Sequence, residues 1–203
     1  MNHLLSKIGS YPFEKLNLLH KDIKPSKEVI NLSIGEPKLN ADSKVLDILN
    51  KETNSFSNYP PMNAVPELSE AYRQYLKSHF GIRNVAEDEV CLVAGTREGT
   101  FSIIQALFNK ENVKEKPYVV MPNPFYQIYG GATTLAGGEA KFLDCPEEDN
   151  FQPDLDSLKS EDWQKCQILV LCSPNNPTGS VLPLSKLKNI LDLAEKYDFY
   201  VVS

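Results

Sequence analysis

The segment Ser173-Pro174-Asn175-Asn176-Pro177-Thr178-Gly179 carries the sharpest chemical pattern in the chain. Its prolines and glycine fix an irregular loop, and a rigid loop can aim an amide side chain, that of Asn176, into a pocket. A turn closed by Asx-type hydrogen bonds is the competing reading. Gly95-Thr96-Arg97-Glu98-Gly99 joins an apolar run to an amphipathic stretch. Unpaired N–H groups at a helix start, the helix dipole and a glycine that admits close approach make an anion site. A tight turn capped by the Thr96 hydroxyl accounts for the same residues. The glycine spacing fits neither a Walker loop nor a dinucleotide fingerprint. In Asn123-Pro124-Phe125-Tyr126-Gln127-Ile128-Tyr129 an aromatic ring can stack on a planar ligand, or the rings are core residues of the following helix. Ile34-Gly35-Glu36-Pro37 and Tyr59-Pro60-Pro61 taken alone read as loops. His3, His20 and His79 have no metal-ligand spacing, so no metal site is assigned.

These segments need a scaffold, and the apolar periodicity supplies one. Residues 90–93, 118–121, 140–143, 168–172 and 199–202 are predicted strands, and residues 30–34 a brief one. Helices are predicted after Pro12, over 41–50, from Pro66 to Phe80 with Leu68, Tyr72, Tyr75 and Leu76 as its stripe, after Gly95, over 126–135 and over 185–197. Strands alternating with helices imply an α/β fold, a three-layer sandwich with a mostly parallel sheet. In such sheets ligands gather at the carboxyl ends of the strands, where the three segments fall. Residues 1–35 read as an arm and lead-in, and 36–203 as the first part of the α/β domain.

Composition removes several function classes. Acidic residues outnumber basic ones 27 to 21, for a net charge of −6, which argues against a nucleic-acid face. No apolar stretch approaches the roughly 20 residues of a membrane span. Residues 1–10 lack the apolar core of a secretory signal. Cys91, Cys145, Cys166 and Cys172 show no Cys-x-x-Cys spacing and read as buried, reduced thiols of a cytoplasmic protein.

Read in order, Ile34-Gly35-Glu36-Pro37, Tyr59-Pro60-Pro61, Gly95-Thr96-Arg97-Glu98, Pro122-Asn123-Pro124-Phe125-Tyr126 and Ser173-Pro174-Asn175-Asn176-Pro177-Thr178-Gly179 resemble the N-terminal half of a fold type I, pyridoxal-phosphate-dependent aminotransferase of class I/II. The resemblance covers essentially the whole chain. Tyr11-Pro12-Phe13-Glu14-Lys15-Leu16, Gly95-Thr96-Arg97-Glu98 and residues 123–129 are similar to the N-succinyldiaminopimelate aminotransferases in particular. The fold implied is the large domain of that group, incomplete at its C-terminus. The implied reaction moves an amino group between an amino-acid substrate, N-succinyl-LL-2,6-diaminopimelate, and 2-oxoglutarate, in lysine biosynthesis. Other fold type I reactions, such as those of lyases and decarboxylases, share this half, and a non-catalytic remnant acting as an interaction protein is a further reading.

The resemblance implies roles as well. Backbone N–H groups of Thr96 and Arg97 would hold the phosphate of pyridoxal 5'-phosphate, Tyr126 would stack on its ring, and Asn176 would donate a hydrogen bond to its phenolic oxygen. Tyr59 would reach the phosphate of a neighbouring subunit, implying a homodimer, and Gly35 with Asn176 would lie beside the substrate carboxylate. Two positions depart from the group's pattern: Ala64 where a glycine is common, and Ser69 where an arginine is frequent. The Schiff-base lysine, the aspartate that pairs with the pyridine nitrogen and the arginine that clamps the substrate carboxylate are expected after Ser203, so no catalytic residue is assigned. Lys110, Lys114, Lys116 and Lys186 sit in charged or polar runs that do not suit an imine-forming lysine. On this reading the isolated 203-residue chain is poorly soluble or needs the remainder to fold, because uncovered apolar faces would remain. A cooperative, monomeric thermal transition of the isolated chain would contradict that expectation.

Overall fold

Apolar residues that alternate between two helical layers build the sheet. The computed structural model describes residues 2–9, 11–32, 35–36, 39–57, 59, 66–111 and 117–203. Strands β1 (Tyr118–Asn123), β2 (Glu139–Asp144), β3 (Cys166–Val170) and β4 (Tyr200–Val202) form one sheet in the order β2-β1-β3-β4, with every pair parallel. Parallel neighbours need crossovers, and each is helical: α5 (Ile128–Ala136) between β1 and β2, α6 (Ser160–Lys165) between β2 and β3, and α7 (Leu184–Tyr197) between β3 and β4. Val119, Met121, Ile168 and Val170 point to one face and pack with Ile104, Phe108, Tyr129 and Ala132 of the α4 (Thr96–Leu107) and α5 layer. Val120, Leu169 and Leu171 point to the other and pack with Trp163, Ile190 and Phe199, where the Trp163 and Phe199 rings stack at 5.5 Å. Two faces buried by helices give the three layers expected.

These elements belong to one compact unit, Met1–Tyr11 with Val93–Ser203. The other unit, Pro12–Leu92, holds α1 (Pro12–His20), α2 (Ser43–Lys51) and α3 (Pro66–Phe80). Pro66 opens α3, and Gly81, at φ 70°, ends it in the left-handed conformation that glycine adopts without strain. The expected stripe on α3 stays largely uncovered, since Leu68, Tyr72 and Tyr75 are exposed and Ser69 is the buried residue of that helix. Among its described residues this unit has no strand on which the stripe could lie.

Three local expectations need correction. Residues 90–93 form no strand: Val90 is extended at φ −118°, ψ 110°, but no ladder forms on this segment among the described residues. Apolar character alone does not make a strand; a hydrogen-bonding neighbour must lie beside it. Residues 30–32 likewise carry no strand, while Ser33 and Ile34 lie outside the described residues. Cys91 is exposed and Cys172 half-buried, so only Cys145 and Cys166 fit the expectation of buried thiols. Burial pushes the Cys166 thiol up to about 12. Pro37, Pro60, Pro61, Ala64, Lys114 and Lys116 also lie outside the described residues.

Packing is tight where the chain turns from α5 into β2. A Cβ placed on Gly138 would meet the ring of the buried Phe108 at 2.5 Å. Gly138→Ala is therefore expected to cost about 1–3 kcal/mol in chemical denaturation of the full-length protein. Adding Phe108→Leu should make the pair cost less than the sum of the single changes. Strict additivity would show that the ring does not meet the new methyl.

Candidate functional site

The start of α4 leaves donors free. Gly95 occupies the N-cap at φ 117°, a value that favours glycine, and it offers no side chain to satisfy the helix start. The first amide bonded within the helix is that of Gly99, to Gly95 O at 3.0 Å. The N–H groups of Thr96, Arg97 and Glu98 therefore have no intrahelical acceptor, and the positive end of the helix dipole lies there. The expected alternative, Thr96 as the cap, is replaced by this arrangement: Thr96 is the first helical residue. Thr96 and Arg97 are both exposed, and the Glu98 carboxylate lies close to Gly95.

The direction of α4 follows from its far end. Asn109 N–H donates to Gln167 Oε1 at 2.9 Å, and Gln167 Nε2 donates to Asn109 O at 2.8 Å. This pair pins the end of α4 to the beginning of β3. The 12 residues of α4 then run back along the sheet for about 18 Å. That length carries Thr96 toward the carboxyl ends of the strands. Gln105 Nε2, donating to Ala132 O at 2.8 Å, fastens α4 to α5 on the way.

Tyr126 sits at the same edge, in the turn after β1. The helix expected from residue 126 begins at Ile128, so Tyr126 precedes it. Its ring is half-buried and meets the Tyr129 ring edge-on at 5.8 Å. Of the two, Tyr129 is the core residue, at 6% exposure. Tyr129 is further tied by its N–H to Tyr126 O at 3.1 Å and by Thr133 Oγ1 to its carbonyl at 2.7 Å. The core reading thus holds for Tyr129, while the Tyr126 ring stays partly exposed.

The loop after β3 is closed on itself. Asn175 N–H donates to Ser180 O at 2.8 Å, and Gly179 N–H returns to Asn175 O at 2.7 Å. Asn175 Nδ2 donates to Thr178 Oγ1 at 3.0 Å, and Leu182 N–H to Ser173 Oγ at 3.0 Å. Peptide bonds before Pro174 and Pro177 are cis, as is that before Pro124. Asn175 is buried at 9% exposure and acts as the strut, while Asn176 is exposed. The turn is not of the Asx type: Asn175 Oδ1 is buried without a partner among the described residues, the Thr178 hydroxyl accepts the Ser180 N–H at 3.3 Å, and Asn176 beside Asn175 is exposed.

β1 and β3 are parallel neighbours, so Tyr126 and Asn176 leave the sheet from adjacent strand ends, and the Asn109–Gln167 pair at the far end of α4 directs its start toward the same ends. Gly35 and Tyr59 belong to the other unit, where Tyr59 is fully exposed. Sequence reasoning missed the support given by Gln152 and by the Asn175 side chain, whose amides carried no sequence signal, whereas Tyr129 was already among the rings read as core residues of the following helix. A small cavity lies behind the loop, lined by Pro122, Leu171, Asn175 and Leu182 rather than by Asn176.

Burial, and next the adjacent Cys172 thiol, push Tyr129 up to about 12. A pKa raised on folding gives stability that is complete below the unfolded value near 10 and is lost as pH rises through the folded value. The unfolding free energy should therefore fall more steeply from about pH 10 to 12 than that of Tyr129→Phe, read by chemical denaturation at paired pH values. Parallel pH curves for the two proteins would contradict this.

Known proteins share this fold. A family model described as aminotransferase class I and II matches residues 27–203. A solved aminotransferase from Neisseria meningitidis superposes with a TM-score of 0.90 at 40% identity, covering 99% of this chain and 51% of that one. Among curated relatives, an aspartate aminotransferase of Pyrococcus horikoshii is 29% identical, covering 93% of this chain and 47% of its own length. An LL-diaminopimelate aminotransferase of Natranaerobius thermophilus is 29% identical, covering 88% and 46% respectively. The chain thus spans about half the length of the curated relatives it matches. Its sheet and helical layers are those of the fold type I large domain. The chain belongs to the aminotransferase class I and II family, whose coenzyme is pyridoxal phosphate.

Proposed function

We propose that this chain is the coenzyme-binding part of an aminotransferase that moves an amino group from N-succinyl-LL-2,6-diaminopimelate to 2-oxoglutarate, in lysine and diaminopimelate biosynthesis. The observation that carries the reading is the grouping at one sheet edge of a helix start with free N–H groups, a half-buried ring and an exposed amide. These residues fit the coenzyme. The N–H groups of Thr96 and Arg97 suit a phosphate, the Tyr126 ring suits a stacked pyridine, and the Asn176 amide suits the phenolic oxygen. When bound, the coenzyme supplies the electron sink for chemistry at the substrate Cα. The protein's part is to fix its plane and the protonation state of its ring substituents.

Gly35 and Asn176 are proposed beside the substrate carboxylate, and Tyr59 at the coenzyme phosphate of a neighbouring subunit in a homodimer. Residues 1–35 are proposed as the arm and lead-in of that dimer. The cytoplasm is proposed as its place of work; among the described residues no helix is long and apolar enough to cross a membrane. No lysine of this chain is assigned to covalent attachment of the coenzyme. The donor rests on Tyr11-Pro12-Phe13-Glu14-Lys15-Leu16, Gly95-Thr96-Arg97-Glu98 and residues 123–129. A second reading, with LL-diaminopimelate or aspartate as donor, is favoured by the names of the curated relatives.

In the full-length protein Asn176→Ala should weaken pyridoxal phosphate about tenfold or more, as expected for losing a hydrogen bond to a charged oxygen. Absorbance titration measures this. Among N-succinyl-diaminopimelate, LL-diaminopimelate and aspartate, the first should give the highest kcat/KM with 2-oxoglutarate. No coenzyme binding by the wild-type protein would sink the proposal, and a preference for either other donor would favour the second reading.

A further inference from the structure

Residues 146–154 form a turn whose backbone is unusual. Asn150 and Phe151 both lie in the left-handed region, at φ 52° and 56°. Two successive side-chain-bearing residues there are unfavourable, most of all for a bulky ring, and such geometry persists only where surrounding contacts hold it. The contacts are present. Phe151 N–H donates to Pro146 O and Gln152 N–H to Asp149 O, both at 3.0 Å. From the start of α7, Lys186 Nζ reaches Asp149 Oδ2 at 3.2 Å and Pro153 O at 3.0 Å.

What the turn delivers is the Gln152 amide. The residue is 9% exposed, and Nε2 donates to Val181 O at 3.0 Å and to Ser180 Oγ. A backbone carbonyl only accepts, so the bond to Val181 fixes which end of the amide carries the donors. Oε1 then lies buried with no partner among the described residues, a cost the two donated bonds must outweigh. Ser180 is also the residue whose carbonyl accepts the Asn175 N–H and whose N–H donates to Thr178 Oγ1 at 3.3 Å. Gln152 therefore grips the outgoing stem of the loop that carries Asn176. Phe151 and Pro153 face Asn175, Ser180 and Leu182 across the small cavity, so these polar bonds couple the two segments where close packing does not.

We propose that Gln152 is a positioning residue for the coenzyme site: its amide locks the exit of the residue 175–180 loop and so sets the direction in which the exposed Asn176 is presented. The inference rests on the coenzyme reading above, in which Asn176 bonds the ring oxygen of pyridoxal phosphate.

The test uses the full-length protein with pyridoxal phosphate as probe. Gln152→Met keeps the length of the side chain and removes both donated bonds. It should weaken the coenzyme about fivefold. It should also move the pH midpoint of the bound coenzyme's absorbance in the same direction as Asn176→Ala. Without coenzyme, amide exchange should accelerate at Asn175 and Gly179 while Val119 and Ile168 stay protected. Wild-type affinity, an unmoved midpoint and unchanged exchange in Gln152→Met would overturn the proposal. Should exchange accelerate throughout that variant, Ser180→Ala decides, because it removes one acceptor and leaves Gln152 in place. Faster exchange confined to Asn175 and Gly179 supports the clamp, and unchanged exchange there refutes it. If the wild-type protein binds no pyridoxal phosphate, the coenzyme reading fails by itself and the exchange results alone judge Gln152.

Discussion

The ladder between β1 and β3 sets Val119 beside Ile168 and Val120 beside Leu169, all four fully buried. Because the strands run parallel, their carboxyl ends finish next to each other, and the turn after one faces the loop after the other. Alternation locks this register. A slip by one residue would turn Val119 toward α7 and Val120 toward α4, and would shift one strand end by about 3.3 Å against the other. The distance between the Tyr126 turn and the Asn176 loop is thus a consequence of core packing.

Backbone polar groups are handled in opposite ways on the two sides of this edge. In the residue 173–182 loop the N–H groups of Asn175, Gly179, Ser180 and Leu182 find acceptors within the loop, and the Gln152 amide holds its exit, so the protein itself fixes much of the loop's shape. At the start of α4 the reverse holds. Gly95 provides no cap, and several N–H groups are left for water or an anion. A loop rigid without ligand beside a helix start that welcomes negative charge suits a phosphorylated, planar molecule. On the proposed reading, orientation would come from the loop and charge complementarity from the helix start. Tyr129 joins the Tyr126 turn to that loop, since its ring abuts Tyr126 and its hydroxyl end neighbours Cys172 at the root of the loop.

Much of this was legible in the residues. The run Ile168 to Cys172 announced a strand buried on both faces, and Gly95-Thr96 announced a helix start. Asn176 stood out because prolines and a glycine left it few conformations. Residues 90–93 were as apolar as the true strands, yet pairing is a property of neighbours, which no single segment reports. Thr96 had the side chain of a cap, but Gly95 took that place, since only the residue with φ 117° could turn the chain into the helix. Gln152 was invisible for another reason. Its partners lie 28 and 29 residues away, and a lone glutamine after a Phe carries no pattern. Gly35 and Tyr59 were singled out by resemblance, and they belong to the other compact unit.

The central claim is spatial: the helix start at Thr96, the Tyr126 ring and the Asn176 amide serve one ligand. A crystal structure of the full-length protein with pyridoxal phosphate tests it most directly. The account expects the phosphate against the N–H groups of Thr96 and Arg97, the ring stacked on Tyr126 and its phenolic oxygen within hydrogen-bond reach of Asn176. A coenzyme seated elsewhere, or touching one of these residues while the others face away, would contradict it.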